Sequence, residues 1–263
     1  MLMKYKRLLM KMSFIIALAL LWEIVAYSGH FPEALFPKIE MIIRRFIDLT
    51  LHDALILKAL YSISIVLIAM VISLVFAFLV VAIGARFEYV RVNTELLNAI
   101  ASPIPGIAIL PVIILWLGIS QSAMMVIMIH AMLWPLWTNI VLAVDRISIK
   151  YQRMMTAFKI PRIRRIRHIY FEGILPDIVA GLEIAWSRGW RALLSIEMIF
   201  GIVGKQSGLG WLIYERRMYM DTAGMFAGLI AIALCGILFE SVLFRTKKLE
   251  AFIETNHSSR ESK

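Results

Sequence analysis

The sequence predicts an all-α, polytopic membrane protein with about six transmembrane helices. Hydrophobic residues make up 61% of the 263-residue chain, and the mean hydropathy is +0.81, whereas soluble domains are closer to half apolar. Charged residues, 17% of the total, cluster between long apolar runs. Because one bilayer crossing takes about 20 apolar residues, the chain has room for roughly five to seven spans and none for a separate soluble enzyme domain.

Six long apolar segments define the predicted spans. A membrane domain is expected at 12–249, between a basic N-terminal segment, 1–11, and a polar tail, 250–263. The spans are expected at 12–28, 59–85, 96–118, 122–144, 174–203 and 224–244, with a basic loop at 145–173. No convincing small-residue cleavage site follows the first span, so we expect a retained helix instead of a signal peptide.

The segment between the first two spans predicts a helix that lies along the membrane surface. Ile39, Ile42, Ile43 and Phe46 fall on one face, as in an amphipathic interfacial helix. The second span, which follows, is longer than a bilayer needs and is expected to tilt.

Prolines interrupt the third predicted span. Pro103, Pro105 and Pro111 each remove a backbone donor, and the freed backbone groups need other partners. Broken helices often line substrate cavities in membrane proteins. The three prolines are therefore candidates for lining a solute pathway, and a kink that serves packing is the alternative.

The fifth span carries charged residues at membrane depth, where ionised groups are costly. Arg188 and Arg191 are three residues apart and share a helix face, so together they can attract an anion. The alternative is that they pair with Glu183, Glu197 or Glu23 and hold helices together.

Two more residues of the fifth span are candidates for the same pathway. Trp190 lies one helical turn after Trp186, a spacing that is more typical of core packing than of a ligand cage. For Glu197 we expect a structural or gating role rather than proton transfer.

Lys and Arg residues set the predicted orientation. They concentrate in the segments that would face the cytoplasm if both termini were inside, which favours an N-in, C-in topology. The formal charge of +10 therefore needs no nucleic acid partner. The histidines are scattered, Cys235 is the single cysteine, and nucleotide-binding, serine-hydrolase and zinc motifs are missing, so we expect no catalytic residue, metal or bound cofactor in this chain.

The basic loop at 145–173 contains an amphipathic pattern. Its apolar residues recur at i, i+3, i+4 and i+7, which predicts a short helix, and Pro161 is expected to end or redirect it. The apolar residues are Tyr151, Met154, Met155 and Phe158, with Arg153 and Lys159 beside them. We expect this helix to dock to a partner at the membrane surface and to bury Met155 and Phe158 in that partner. The alternative is an interfacial helix whose cations meet anionic lipid.

Four stretches together carry a resemblance to a known family. They are LFPKIEMIIRRF (35–46), SPIPGIAILPVIILWLGISQSA (102–123), GLEIAWSRGWRALLSIEMI (181–199) and GLGWLIYERRMYMDTAGMFAGLI (208–230). In this order and spacing, residues 35–249 resemble the permease subunits of type I ABC importers, of the sulfonate, nitrate and taurine type.

The resemblance implies a transport subunit that is not itself an enzyme. It implies cytoplasmic ATP-binding subunits that hold ATP and Mg²⁺, an extracytoplasmic solute-binding protein, and a second permease subunit in a homodimer or heterodimer. The location implied is the lipid bilayer of the bacterial inner membrane, and the solute is a small anion such as a sulfonate, nitrate or a taurine-like molecule.

The family's Glu-Ala-Ala coupling motif aligns with Arg153, Met154 and Met155, and its usual glycine aligns with Lys159. The loop keeps the position and amphipathic pattern of the family but not these signature residues. Two other functions stay open. One is a secondary transporter driven by an ion gradient, with Glu183 and Glu197 as its ionisable residues, and the other is a membrane scaffold that transports nothing.

Overall fold

The computed structural model describes residues 2–203 and 206–243, which form helices joined by short connections. The helices are α1 (Leu2–Tyr27), α2 (Ile39–Leu51), α3 (Leu55–Gly84), α4 (Glu88–Ala101), α5 (Leu110–Leu117), α6 (Gln121–Ala157), α7 (Arg162–Arg164), α8 (Glu172–Phe200), α9 (Leu209–Met218) and α10 (Thr222–Leu243). A 3₁₀ turn, Gly106–Ile109, precedes α5, and a π-helical segment, Arg165–Phe171, joins α7 to α8. These ranges contain no β-strand, so the predicted all-α class is confirmed.

Within the described residues, four helices are long and apolar enough to cross a bilayer: Leu9–Tyr27 within α1, α3, α6, and Thr222–Val242 within α10. A bent pair of helices supplies a fifth candidate. The fifth predicted span, 174–203, corresponds to α8, whose 29 residues reach roughly 40 Å at 1.5 Å per residue. Because α8 carries several charged side chains, it is not among the four helices that are apolar enough to cross a bilayer. The predicted tail at 250–263 lies outside the described residues.

The third predicted span is broken where its prolines lie. α4 begins at Glu88, earlier than expected, and ends at Ala101, and the chain then turns by 90° before the segment Gly106–Leu117. Pro105 precedes the 3₁₀ turn, and Pro111 lies in the first turn of α5, where its missing N–H costs no helical hydrogen bond.

The fourth predicted span is longer in the structure than the sequence indicated. α6 runs without interruption for 37 residues and includes the segment that was expected to be a separate short helix. Arg146 of α6 donates two hydrogen bonds to Asp177 of α8, and Ser148 shares a hydrogen bond of 3.0 Å with Tyr170. The expectation of a separate helix is therefore wrong, because contacts with the antiparallel start of α8 keep this polar stretch helical.

The centre of the fold is the packing of α6 against α8, with α3 alongside. Two glycines of α8 allow the close approach. A Cβ atom on Gly189 would lie 1.6 Å from Cε of Met132, and one on Gly181 would lie 3.2 Å from Cβ of Asn139. The apolar window of α1, in contrast, has no buried residue.

The predicted surface helix is α2, which buries Ile42 against its neighbours and packs on α10. Arg45 of α2 donates to Asp221, the residue before α10, at 2.8 Å and also pairs with Asp48. Burial lowers the pKa of Arg45, but the hydrogen bond and charge of Asp221, and then those of Asp48, outweigh burial and raise it. Because Arg216 of α9 approaches the same Asp221, ion pairs join α2, α9 and α10.

Candidate functional site: an arginine cavity and a helical hairpin end

An open cavity of about 450 Å³ lies where the proline-rich turn meets α6 and α8. Its walls come from three sequence-distant segments. The lining residues are Ser102, Pro103, Ile104, Pro105, Gly106, Ile107, His130, Ala131, Trp134, Arg188, Arg191, Ala192 and Ser195. The structure thus brings together two of the candidate prolines and both candidate arginines.

His130 connects the proline-rich turn to α6. Its Nε2 lies 3.1 Å from the carbonyl oxygen of Ile104, and Trp134 donates its indole N–H to Nδ1 at 3.3 Å. Since Nδ1 accepts, Nε2 carries the proton and donates to Ile104. Both ring nitrogens are therefore used to hold the turn in place.

The side chains of Arg188 and Arg191 are exposed. Both residues lie within about two helical turns of the midpoint of α8. In the part of the chain that the structure describes, no ion pair joins either guanidinium to a carboxylate. Two of the acids considered as partners are used elsewhere, since Glu23 accepts from the backbone N–H of Ile39 and Glu197 binds other groups. Two uncompensated cations at this depth would each cost about 2.5–3.5 kcal/mol in lipid, so their side of α8 must face water or protein.

Three other candidates lie away from this cavity. Trp190 is in the core, with its ring 5.5 Å from that of Trp186 in a stacked arrangement. Pro111 starts α5. Glu197 is 1% exposed and lies on the opposite side of α8 from the arginines.

Glu197 joins three helices through hydrogen bonds. Ser62 of α3 lies with its hydroxyl 2.8 and 3.0 Å from the two carboxylate oxygens, and the backbone N–H of Gly210 in α9 donates at 2.8 Å. The Ser62 oxygen also accepts from the N–H of Leu209 at 3.0 Å. A carboxylate at the start of a helix satisfies donors that have no partner within that helix.

The Gly-Leu-Gly sequence at the start of α9 is required by this contact. A Cβ atom on Gly208 would lie 1.9 Å from Oε1 of Glu197, and one on Gly210 would lie 2.3 Å from the carbonyl oxygen of Leu194. Only glycine lets the backbone of α9 come this close to α8.

The predicted coupling segment forms the turn of a helical hairpin between α6 and α7. The N–H of Lys159 donates to Thr156 and that of Ile160 donates to Met155, both at 3.1 Å, which is the Schellman pattern of helix termination. Lys159 occupies the C′ position with φ of 46°, where glycine is the usual residue. The helix therefore ends before Pro161, and the turn conformation explains why the family's glycine aligns here.

Arg165 holds the hairpin turn closed from the other side. Its guanidinium donates to the carbonyl oxygens of Ile160 at 2.6 Å and Met155 at 3.2 Å. Nothing in the sequence distinguishes Arg165 from the neighbouring arginines, so sequence reasoning missed it.

Ser195 of the cavity was also missed, but the sequence contained a signal for it, because Ser195 follows Arg191 by one helical turn on the same face.

The apolar stripe of the hairpin is divided between the core and the surface. Met155 is 3% exposed and Tyr151 packs against the core, whereas Phe158 is 77% exposed and Met154 is partly so. The expectation that Met155 is buried in a partner is wrong, because this chain already buries it. Phe158 remains at the surface, together with the charged residues Arg153 and Lys159.

Comparison with known proteins assigns the family. The model of the binding-protein-dependent transport system inner membrane component family matches residues 91–245, which is more than half of the chain. The chain belongs to this family. The match covers the cavity, the hairpin turn, Glu197 and Gly210, and it confirms the resemblance to ABC importer permeases.

Individual relatives are distant. A putative aliphatic sulfonates transport permease protein of Escherichia coli (strain K12) is 28% identical over 135 residues, covering 51% of this chain and 50% of the relative. The taurine transport system permease protein of the same organism is 25% identical over 138 residues, 52% and 49% of the two chains. These alignments span about half the length of each relative. A probable ABC transporter permease protein of Haemophilus influenzae is 26% identical over 237 residues, 87% and 92% of the two chains.

Proposed function

We propose that this chain is the membrane-spanning permease subunit of an ATP-driven importer in the bacterial inner membrane. The family assignment and the names of the relatives support this function. The solute is a small anion of the sulfonate, nitrate or taurine kind, delivered by an extracytoplasmic binding protein. Cytoplasmic ATPase subunits hold ATP and Mg²⁺, and a second permease chain completes the pathway.

The observation that carries the proposal is the hydrogen-bonded hairpin end with its exposed aromatic side chain, Phe158. α6 continues from its apolar part to Ala157, so a displacement of the turn moves a helix that also lines the arginine cavity through His130 and Trp134. Closure of the docked ATPases changes the cavity only if they bind one conformation of the hairpin more tightly than the other. Phe158 is the anchor, and Arg153 and Lys159 add electrostatic steering.

The contacts of Glu197 speak against its use as the coupling group of an ion-gradient mechanism, for which Glu183 was the other candidate. A proton- or cation-coupled transporter needs an ionisable group that is free to exchange its ligand. The Glu197 carboxylate instead accepts from Ser62 and Gly210 and is 1% exposed. Purified chain that transports an anion in liposomes on an ion gradient alone would overturn the proposal, and unchanged anion uptake after deletion would favour a scaffold.

Phe158→Asp tests the docking anchor. Affinity-tagged chain is purified from membranes of its native host in mild detergent, and ATP hydrolysis and co-purifying ATPase subunits are measured. A charged side chain cannot fill an apolar pocket, so we expect the variant to insert normally and to lose the ATPase.

Tyr89→Asp is the matched control for this experiment. Tyr89 is an aromatic residue in the first turn of α4 with 80% exposure, on a different helix and on the same predicted side of the membrane. The control retains the ATPase if docking is local to Phe158. Equal ATPase recovery with both variants contradicts the assignment of the hairpin as the docking element.

A further inference from the structure

We infer that the cavity of Arg188 and Arg191 is a binding site within this chain for the oxyanion head of a solute that also carries a short apolar tail. The inference rests on the proposed transport function and deepens it. It places part of the solute selectivity in the permease chain itself.

The two guanidiniums are the charged donors available to an anion at this site, and the hydroxyl of Ser102 is a neutral donor in the same lining. Among the polar groups that line the cavity, His130 uses both ring nitrogens, and Ser195 donates its hydroxyl to the carbonyl oxygen of Arg191 at 3.0 Å. Trp134 donates its indole N–H to His130. Arg188 and Arg191 alone present unused, permanently charged donors, because no described carboxylate pairs with them.

The geometry suits an oxyanion better than a halide. Arg188 and Arg191 are three residues apart on one helix face, so their side chains can approach one ligand from adjacent positions. A guanidinium offers two parallel donors that match the oxygens of a carboxylate or sulfonate. Two such groups on one ligand favour a head group with three oxygens.

The remaining walls of the cavity suit a short apolar tail. Pro103, Pro105, Ile107 and the indole of Trp134 line the side contributed by the turn and α6. The hydrogen bond of His130 to Ile104 fixes the turn against α6, and the hydrogen bond from Trp134 orients the His130 ring. An alkyl sulfonate would meet charge at its head and apolar surface at its tail, whereas nitrate and sulfate would leave the apolar walls unused.

Trifluoromethanesulfonate is a suitable probe because ¹⁹F NMR reports its binding directly. Full-length chain is purified into lipid nanodiscs, and the broadening of the probe signal is titrated with ethanesulfonate, nitrate or the neutral dimethyl sulfone. We expect ethanesulfonate to displace the probe most effectively, nitrate to do so weakly, and dimethyl sulfone not at all.

Variants then assign the probe to the cavity. Arg188→Gln and Arg191→Gln should each raise the dissociation constant by about tenfold or more, since each removes a charge-assisted contact. Arg188→Lys should retain part of the affinity, because it keeps the charge but loses the two parallel donors. Arg217→Gln is the control, since Arg217 is an exposed cation at the end of α9 that does not line the cavity. Equal probe binding in wild type and both glutamine variants would overturn the inference.

A separate measurement distinguishes this failure from failure of the proposed function. The Arg188→Gln and Arg191→Gln chains are expected to co-purify with the ATPase as the wild type does, because the hairpin turn is unchanged. If the ATPase is captured but the probe does not bind, the importer proposal stands and the cavity assignment falls. If the probe binds in the cavity but no ATPase is captured, the anion site stands and ATP coupling falls.

Discussion

Helix α8 carries ionisable side chains on two opposite faces, which differ in their burial and in their hydrogen-bond partners. On the inner face, Glu197 is buried and receives hydrogen bonds from α3 and α9. On the outer face, Arg188 and Arg191 border an open cavity and have no ion-pair partner among the described residues. Charge at membrane depth is costly on either face, and of these three residues Glu197 is the one whose cost is offset by partners in the described structure.

The difference between the faces separates a structural role from a binding role. A buried carboxylate whose partners are a hydroxyl and a backbone N–H fixes helix positions, and its removal leaves those donors unpaired. Guanidiniums without a partner in the described structure have N–H donors that can bind a ligand or another chain. Substitutions on the inner face should therefore change stability, and those on the outer face should change binding.

Glu197→Ala is expected to have the largest effect on stability. It leaves the Ser62 hydroxyl and the Gly210 N–H without their acceptor, which should lower the free energy of unfolding by about 3 kcal/mol or more. Reversible unfolding in mixed SDS micelles measures the change. Glu95→Ala is the control, because Glu95 is half exposed and pairs only with Arg91 in the described structure, so a loss of about 1 kcal/mol or less is expected. If Glu197→Ala and Glu95→Ala lower the free energy of unfolding by similar amounts, Glu197 has no special structural role.

Gly210→Ala tests the same contact from α9. The added methyl group would lie 2.3 Å from the carbonyl oxygen of Leu194 and 2.8 Å from Cβ of Glu197. Separating α9 from α8 should cost about 2 kcal/mol in unfolding free energy. Gly84→Ala in α3 is the matched control, because its nearest contacts are at 3.5 Å and alanine favours the helix. A Gly210→Ala chain as stable as wild type would show that the close approach is not needed.

Lys159→Gly tests whether the Lys159 side chain stabilises the hairpin turn or whether lysine is only tolerated at this positive φ. Glycine adopts the positive φ of the hairpin turn without strain, so we expect the unfolding free energy to increase by about 1 kcal/mol. Lys150→Gly, in the body of α6, should lower it by about 1 kcal/mol instead. Destabilisation by both substitutions would mean that the Lys159 side chain itself holds the turn.

Arg188→Gln and Arg191→Gln should have the smallest effect on stability. Neither side chain has a described ion pair to lose, so the unfolding free energy should stay within about 0.5 kcal/mol of wild type. The same unfolding assay gives the value. A loss of 2 kcal/mol or so, comparable to a core substitution, would place the arginines with Glu197 as structural residues.

The sequence predicted the helical class, the approximate positions of most long helices and the family, because these depend on apolar run length and on ordered local motifs. It did not predict that α6 continues to Ala157, since the ion pair of Arg146 with Asp177 and the contact of Ser148 with Tyr170 depend on the antiparallel start of α8. It also assigned Met155 to a partner, because helical spacing shows that residues share a face but not what covers it. The N-in, C-in orientation stays a prediction.

By itself, the sequence determined that charged residues enter a membrane helix and that two arginines share one face, since both facts follow from composition and from the 3.6-residue period of a helix. Only the tertiary structure decided which charges are satisfied. The partners of Glu197 come from α3 and α9, and the walls around the arginines come from the proline-rich turn and α6. Contacts between segments so distant in sequence have no local pattern, so packing alone made Glu197 a structural contact and left the arginines open to a ligand.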